Sequence, residues 1–152
     1  MKRWLAAAVI AVTLTRLWLA GHTELLPEEA YYWTYAKHPA LGYFDHPPMV
    51  AWTIAVGTWL LGDTERGVRL VNTLLWVCSC VTLFRTARLW FGERVAVWAA
   101  WLFVMLPIYV GVGFIVTPDG ALAPCPAGDN TRTWPTRITL GFSMLFHAAS
   151  WR

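Results

Sequence analysis

Charge is what this chain has least of. Only 14% of its 152 residues are charged, against roughly 25% in soluble globular proteins, while 57% are hydrophobic. Its basic residues are scattered and the net charge is only +3, so the basic face or stripe of a nucleic-acid binder is missing. Cysteine is scarce too. Three cysteines are too few for a disulfide scaffold. Cys78 and Cys80 stand in an apolar run with no histidine or further cysteine near them, and read as small buried residues rather than half a metal site. Cys125 is isolated in a polar tail. The hydrophobic stretches also lack carboxylates, which removes the usual sign of a proton relay or ion path. Tryptophan, by contrast, is plentiful at 11 residues, and it is favoured where apolar tails meet headgroups. The balance is that of an integral membrane protein.

Lys2 and Arg3 precede an apolar stretch over 4–20, broken only by Arg16. A basic start and an apolar run also describe a secretory signal peptide. Bulky Trp18 and Leu19 stand where small residues would mark cleavage, however, and more membrane-length segments follow. The stretch is therefore expected to be an uncleaved first span with its N-terminus in the cytoplasm. Residues 66–85 and 95–116 are expected as the second and third spans, the third containing Pro107, Gly111 and Gly113. Segment 49–62 is apolar but short of the ~20 residues that cross a bilayer core. If it crossed, Arg85, Arg88 and Arg94 would lie outside; if it rests in the interface, they join Lys2 and Arg3 in the cytoplasm, as the positive-inside rule requires. The Pro47-Pro48 pair blocks a continuous helix into the segment and agrees. One large loop, 21–65, is then periplasmic or extracellular, carrying Glu24, Glu28, Glu29, Asp45, Asp63 and Glu65 against Lys37.

Within that loop, Pro27-Glu28-Glu29-Ala30-Tyr31-Tyr32-Trp33 reads as a helix start. Proline suits the first helical position, and acids in the first turn complement the helix dipole. Glu28 falls on a helical face with Tyr31, Tyr32 and Tyr35, and the helix is expected to stop near Lys37, since Pro39 disfavours helical geometry at His38. Tyr43-Phe44-Asp45-His46-Pro47-Pro48 follows as a proline-stiffened extended run. Solvated carboxylates and an aromatic interfacial belt would account for the same composition. The chemical reading is that one carboxylate serves as general base on an acceptor hydroxyl while its neighbours orient phosphate or sugar. The loop's acids suit a divalent metal, but no spacing singles out a site.

Several motifs stand in a definite order: Pro27-Glu28-Glu29-Ala30-Tyr31-Tyr32-Trp33, then Leu41-Gly42-Tyr43-Phe44-Asp45-His46-Pro47-Pro48-Met49-Val50-Ala51-Trp52, then Gly62 with Gly67-Val68-Arg69-Leu70, then Thr117-Pro118-Asp119. Over residues 1 to about 119 the chain resembles glycosyltransferase family 39. The likeness is to the bacterial branch related to dolichyl-phosphate-mannose protein mannosyltransferases and to the aminoarabinose transferase of lipid A. The resemblance implies an all-α integral membrane protein, the N-terminal part of a GT-C fold, in the bacterial inner membrane. It implies an inverting transfer of sugar from a polyprenyl-phosphate-linked donor to a hydroxyl acceptor on lipid, glycan or protein. Glu28 stands where the family has its catalytic carboxylate, as Glu rather than Asp. Glu29, Tyr32, Asp45, His46 and Asp119 are implied as substrate-binding, with Asp45 and His46 near the donor phosphate. The aminoarabinose branch has lysine in place of His46 and arginine in place of Tyr31, which argues against that sugar here.

After Asp119 the family pattern is lost. Prolines at 118, 124, 126 and 135 are incompatible with another membrane helix, and residues 120–152 read as an aberrant tail, from a shifted frame or a premature end. Three spans and a loop would not enclose a lipid carrier, so the chain is expected to be inactive alone. Two other readings compete: a non-catalytic small membrane protein that binds lipid carriers or partner helices, and a decayed gene product.

Overall fold

The computed structural model describes residues 2–44, 48–106 and 114–116. All of their regular secondary structure is helical: α1 (Lys2–Ala20), α2 (Pro27–Lys37), α3 (Met49–Leu61) and α4 (Glu65–Met105). Helices α1 and α4 are long and apolar enough to cross a membrane, whereas α3 is apolar but too short.

Helix α1 is apolar on both sides, and its packing decides which side faces protein. Leu5, Val9, Val12, Arg16 and Ala20 recur at intervals of three or four and form the inward stripe; residues so spaced share one helical face. Trp4, Ile10, Leu14 and Trp18 are exposed on the other. At 19 residues the helix is about 28 Å long, close to the ~30 Å thickness of a hydrocarbon core.

Helix α4 is two limbs, 65–91 and 93–105, separated at Gly92, whose φ of 82° and ψ of 172° are non-helical. That region is essentially closed to residues with a Cβ. The chain folds back there, so that Trp76 on the first limb stacks on Phe103 of the second at 5.7 Å between ring centroids. Leu5 of α1 joins Trp76, Cys80, Ala100 and Val104 in one buried cluster. The Arg16 guanidinium lies over the Trp76 ring, 3.9 Å from its centroid, an attraction that offsets part of the cost of burying the cation. The stretch expected to span 95–116 is helical only to Met105 among the described residues, and Leu106 is extended at φ −69°, ψ 123°. Pro107 explains the stop, because proline drives the preceding residue out of the helical region.

The other end of the molecule is built around α3. Thr64 caps α4, its hydroxyl accepting from the Gly67 amide at 3.1 Å, as expected of a threonine just before a first turn. Helices α3 and α4 then cross at Gly57 and Gly67, so closely that a Cβ on Gly57 would lie 2.1 Å from the Gly67 carbonyl oxygen. This crossing provides the platform on which α2 lies. Tyr32 and Ala36 of α2 bury against Val50, Ile54, Val68 and Val116. The charged ends are thereby separated. Lys2 meets Glu93 at the Gly92 turn, and α2 with its acids sits at the far end of α4's first limb.

Candidate active site

Helix α2 begins as its sequence dictates. Leu26 is extended at φ −66°, ψ 153°, Pro27 takes the first turn, and Glu28 and Glu29 follow. Glu29 folds back so that its Oε2 accepts the Leu26 amide at 3.1 Å. This is one half of a capping box; leucine offers no side-chain acceptor for the other.

The same carboxylate anchors two distant segments. Arg69, from the first limb of α4, donates through Nε to Glu29 Oε1 at 2.9 Å and through Nη2 to Oε2 at 2.5 Å. Both side chains are essentially inaccessible, at 0% for Glu29 and 1% for Arg69. The rest of the guanidinium is also engaged, by the Thr23 carbonyl (2.9 Å), the Thr23 hydroxyl (2.7 Å) and the Glu24 carbonyl (2.9 Å). The Val116 amide donates to Glu29 Oε1 at 3.1 Å, and Asn72 Nδ2 donates to the Ile115 carbonyl at 3.0 Å. The Arg69 guanidinium carbon stands 4.8 Å from the centre of the Phe114 ring. A fork-to-fork pair with its remaining donors and acceptors satisfied is the geometry in which burying two charges is tolerated. It fastens 23–29, the start of α4 and 114–116 to one point. The last of these runs straight into Thr117-Pro118-Asp119.

Glu28, one residue away, does the opposite and is exposed. Tyr31 and Tyr35 are hydrogen-bonded hydroxyl to hydroxyl, with ring centroids 4.8 Å apart. Tyr32 instead turns inward at 7% exposure, so the tyrosines sort onto two faces of α2. Tyr35 also stacks on Tyr43 at 4.3 Å. The Tyr43 hydroxyl accepts the Ala40 amide at 3.1 Å and lies within donating distance of the Tyr35 and His38 carbonyls, at 2.9 and 3.0 Å. Trp52 of α3 donates its indole N–H to the Ala40 carbonyl at 3.1 Å. The strap leading to Asp45 and His46 is thus tied to α2 and α3. Asp45, His46 and Asp119 themselves lie outside the described residues.

At the C-terminal end of α2, Lys37 pairs with Asp63, and the Trp33 indole donates to the same aspartate at 3.3 Å. These bonds, from Lys37 first and Trp33 second, hold the exposed Asp63 carboxyl below its ordinary range. Among the described residues no three His, Cys, Asp or Glu side chains gather as a metal site would require.

Sequence reasoning placed Glu28, Glu29 and Tyr32 on one helix, and all three are there. It quoted Arg69 in the Gly67-Val68-Arg69-Leu70 motif but gave it no role. The available signal was a charged residue at the start of an uncharged apolar run, two residues after Gly67.

Residues 45–128 match the family model described as dolichyl-phosphate-mannose-protein mannosyltransferase, which is more than half of the 152 residues. The chain belongs to this family. As a member of this mannosyltransferase family it is 30% identical over 102 residues to the lipid A galacturonosyltransferase RgtD of Rhizobium johnstonii. That alignment takes in 65% of this chain and 22% of the relative, so the chain spans about a fifth of the relative's length. No solved structure matches it. Family and apolar helices together make this a membrane protein whose relatives are glycosyltransferases.

Proposed function

We propose that the chain is the N-terminal part of a GT-C glycosyltransferase of the bacterial inner membrane. It moves a sugar from a polyprenyl-phosphate donor to a hydroxyl on a lipid, glycan or protein. In this reading α1, the first limb of α4 and the whole stretch 95–116, of which the second limb is the start, are three spans, α3 lies in the interface, and α2 and the strap after it face the periplasm or exterior. The observation that carries it is the pairing of an exposed Glu28 with a buried neighbour, Glu29, whose bonds to Arg69 and Val116 fix the helix on which Glu28 stands.

Glu28 acts as general base. Its carboxylate takes the proton of the acceptor hydroxyl as that oxygen attacks the anomeric carbon. The bond from that carbon to the donor phosphate breaks on the opposite face, the electron pair leaves with the lipid phosphate, and the configuration inverts. Asp45, His46 and Asp119 bind substrate; Tyr32 and Glu29, both buried beneath the helix, serve the site by holding α2 in place rather than by touching the substrate. The lipid acceptor in the relative's name supports an acceptor of that class. Transfer requires the helices that the relative's remaining length supplies, and this chain alone is inactive.

The test is a chimera in which residues 1–119 replace their counterpart in the galacturonosyltransferase. Sugar transfer from a polyprenyl-phosphate donor should persist, and Glu28→Gln should lower kcat by about 10²–10⁴-fold, the usual contribution of a general base. A Glu28→Gln chimera as active as its parent would refute the assignment, and transfer by the purified chain alone would refute the need for the missing helices.

A further inference from the structure

At the end of the molecule opposite Glu28, the first turn of α1 meets the start of α4's second limb around an open cleft of about 780 Å³. Its lining is Lys2, Arg3, Trp4, Glu93, Arg94 and Val97. Three cations face one carboxylate there, and that carboxylate is already engaged. Glu93 Oε1 is 2.7 Å from Lys2 Nζ, and its Oε2 is 3.8 Å from Arg88 Nη2. Arg3 and Arg94 make no ion pair among the described residues. The floor is apolar Val97, 5% exposed, and Trp4 projects at the rim, 76% exposed. Tryptophan in that position suits the level of lipid headgroups.

A second feature continues from the first. Trp98, Trp101, Leu102 and Met105 line an apolar groove of about 310 Å³. These residues follow Arg94 at helical spacing, so the groove runs along the same limb away from the basic cleft. From Arg94 to Met105 the helix rises about 16 Å, close to half of a ~30 Å hydrocarbon core. A cation pair at one end and a leaflet-long apolar channel at the other match one amphiphile.

We propose that this cleft and groove bind an anionic phospholipid, its phosphate held by Arg3 and Arg94 and an acyl chain laid along Trp98, Leu102 and Met105. Arginine suits this role because its planar fork meets phosphate oxygens in pairs. Basic pockets between membrane helices are known to select lipid headgroups in this way. The groove distinguishes a lipid from free phosphate, which would use the cations alone. The site is independent of sugar transfer and does not depend on the assignment of Glu28.

The experiment is native mass spectrometry of the purified full chain, released from micelles containing phosphatidylglycerol or phosphatidylcholine of identical acyl chains. One phosphatidylglycerol should be retained in clear preference to phosphatidylcholine. Arg3→Gln and Arg94→Gln should each weaken retention about fivefold, as expected for one basic residue at an anionic surface. Arg66→Gln, a charge removed at the far end, should leave it unchanged. Glu93→Gln should strengthen retention severalfold by releasing Lys2 and Arg88. That gain cannot arise from misfolding, so it decides the matter if the arginine variants fold poorly. Equal retention of both lipids, an equal loss with Arg66→Gln, or no gain with Glu93→Gln overturns the proposal. So does displacement of phosphatidylglycerol by inorganic phosphate at matched concentration.

Discussion

Replacing Arg69 with methionine probes the centre of the structure while nearly preserving side-chain length. The substitution leaves Glu29, at 0% exposure, with a buried charge and two neutral donors, the Leu26 and Val116 amides at 3.1 Å each. It also strips donors from the Thr23 and Glu24 carbonyls. Those two residues are exposed, so water replaces the lost bonds at small cost. The penalty therefore concentrates on Glu29. Breaking a buried pair by removing one partner costs about 3–5 kcal/mol, and the two retained amides place this case near the lower bound. A loss of about 3 kcal/mol is a shift of roughly 150-fold in the folding equilibrium, a large share of the ~5–15 kcal/mol that typically holds a domain together. The measurement is unfolding in mixed micelles with increasing SDS, followed by far-ultraviolet circular dichroism. Its companion is the double variant Glu29→Gln/Arg69→Met, which removes the stranded charge and keeps an oxygen for the Leu26 amide. The double variant should recover at least half of the single loss, because the cost lies in the unpaired charge and not in the absent contact. A single loss below 1 kcal/mol refutes the reasoning. So does a double variant no more stable than Arg69→Met.

Gly57→Ala should destabilise by about 1–3 kcal/mol, the usual cost of overpacking, because its Cβ would sit 2.1 Å from a backbone oxygen that cannot yield as a flexible side chain would. Gly42→Ala, with nothing within 4 Å, is the control and should be near neutral in the same assay. Gly92→Ala should cost about 1–3 kcal/mol through backbone strain at a φ of 82°, seen as lower thermal stability and weaker quenching between the two limbs. Asp63, whose carboxyl is held low by Lys37 and Trp33, contributes stability present above the unfolded aspartate value of ~3.9. That contribution is lost as pH falls below this value and through the depressed folded one. Unfolding measured between pH 5 and 2 should show this acid-side loss in the natural chain and a shallower one in Lys37→Met. Identical profiles would count against the pair.

Local chemistry was the legible part of this molecule. Proline at the first helical position, two acids after it and Pro39 beyond its end mark α2 in the sequence, and the helix runs from Pro27 to Lys37. The apolar segment before Gly62 is likewise a helix, Met49–Leu61, too short to cross. Glu29 was legible only as a candidate for substrate, because its partner lies 40 residues away. No periodicity connects a loop carboxylate to a cation on another helix. The fold-back between the two expected spans was legible in place, but its form was not. The residues between the expected spans, 86–94, include Arg88, Glu93 and Arg94 and read as a polar turn, yet the chain stays helical to Phe91 and reverses at one glycine. Hydropathy reports solvent preference, and the turn is made by backbone freedom.

The bond between Glu29 and the Val116 amide spans 87 positions of sequence, and this has a consequence for biosynthesis. At chain elongation of ~5–20 residues per second, residue 116 is made roughly 4–17 s after residue 29. Arg69 arrives within that interval and can neutralise the glutamate early. The anchorage of α2 to the segment preceding Asp119 must wait for the hairpin at Gly92 to be synthesised and folded back. Helix α2, made early, thus reaches its final form only after residue 116 has been added. During those seconds a strongly polar loop remains open to water and to whatever folding factors attend nascent membrane chains.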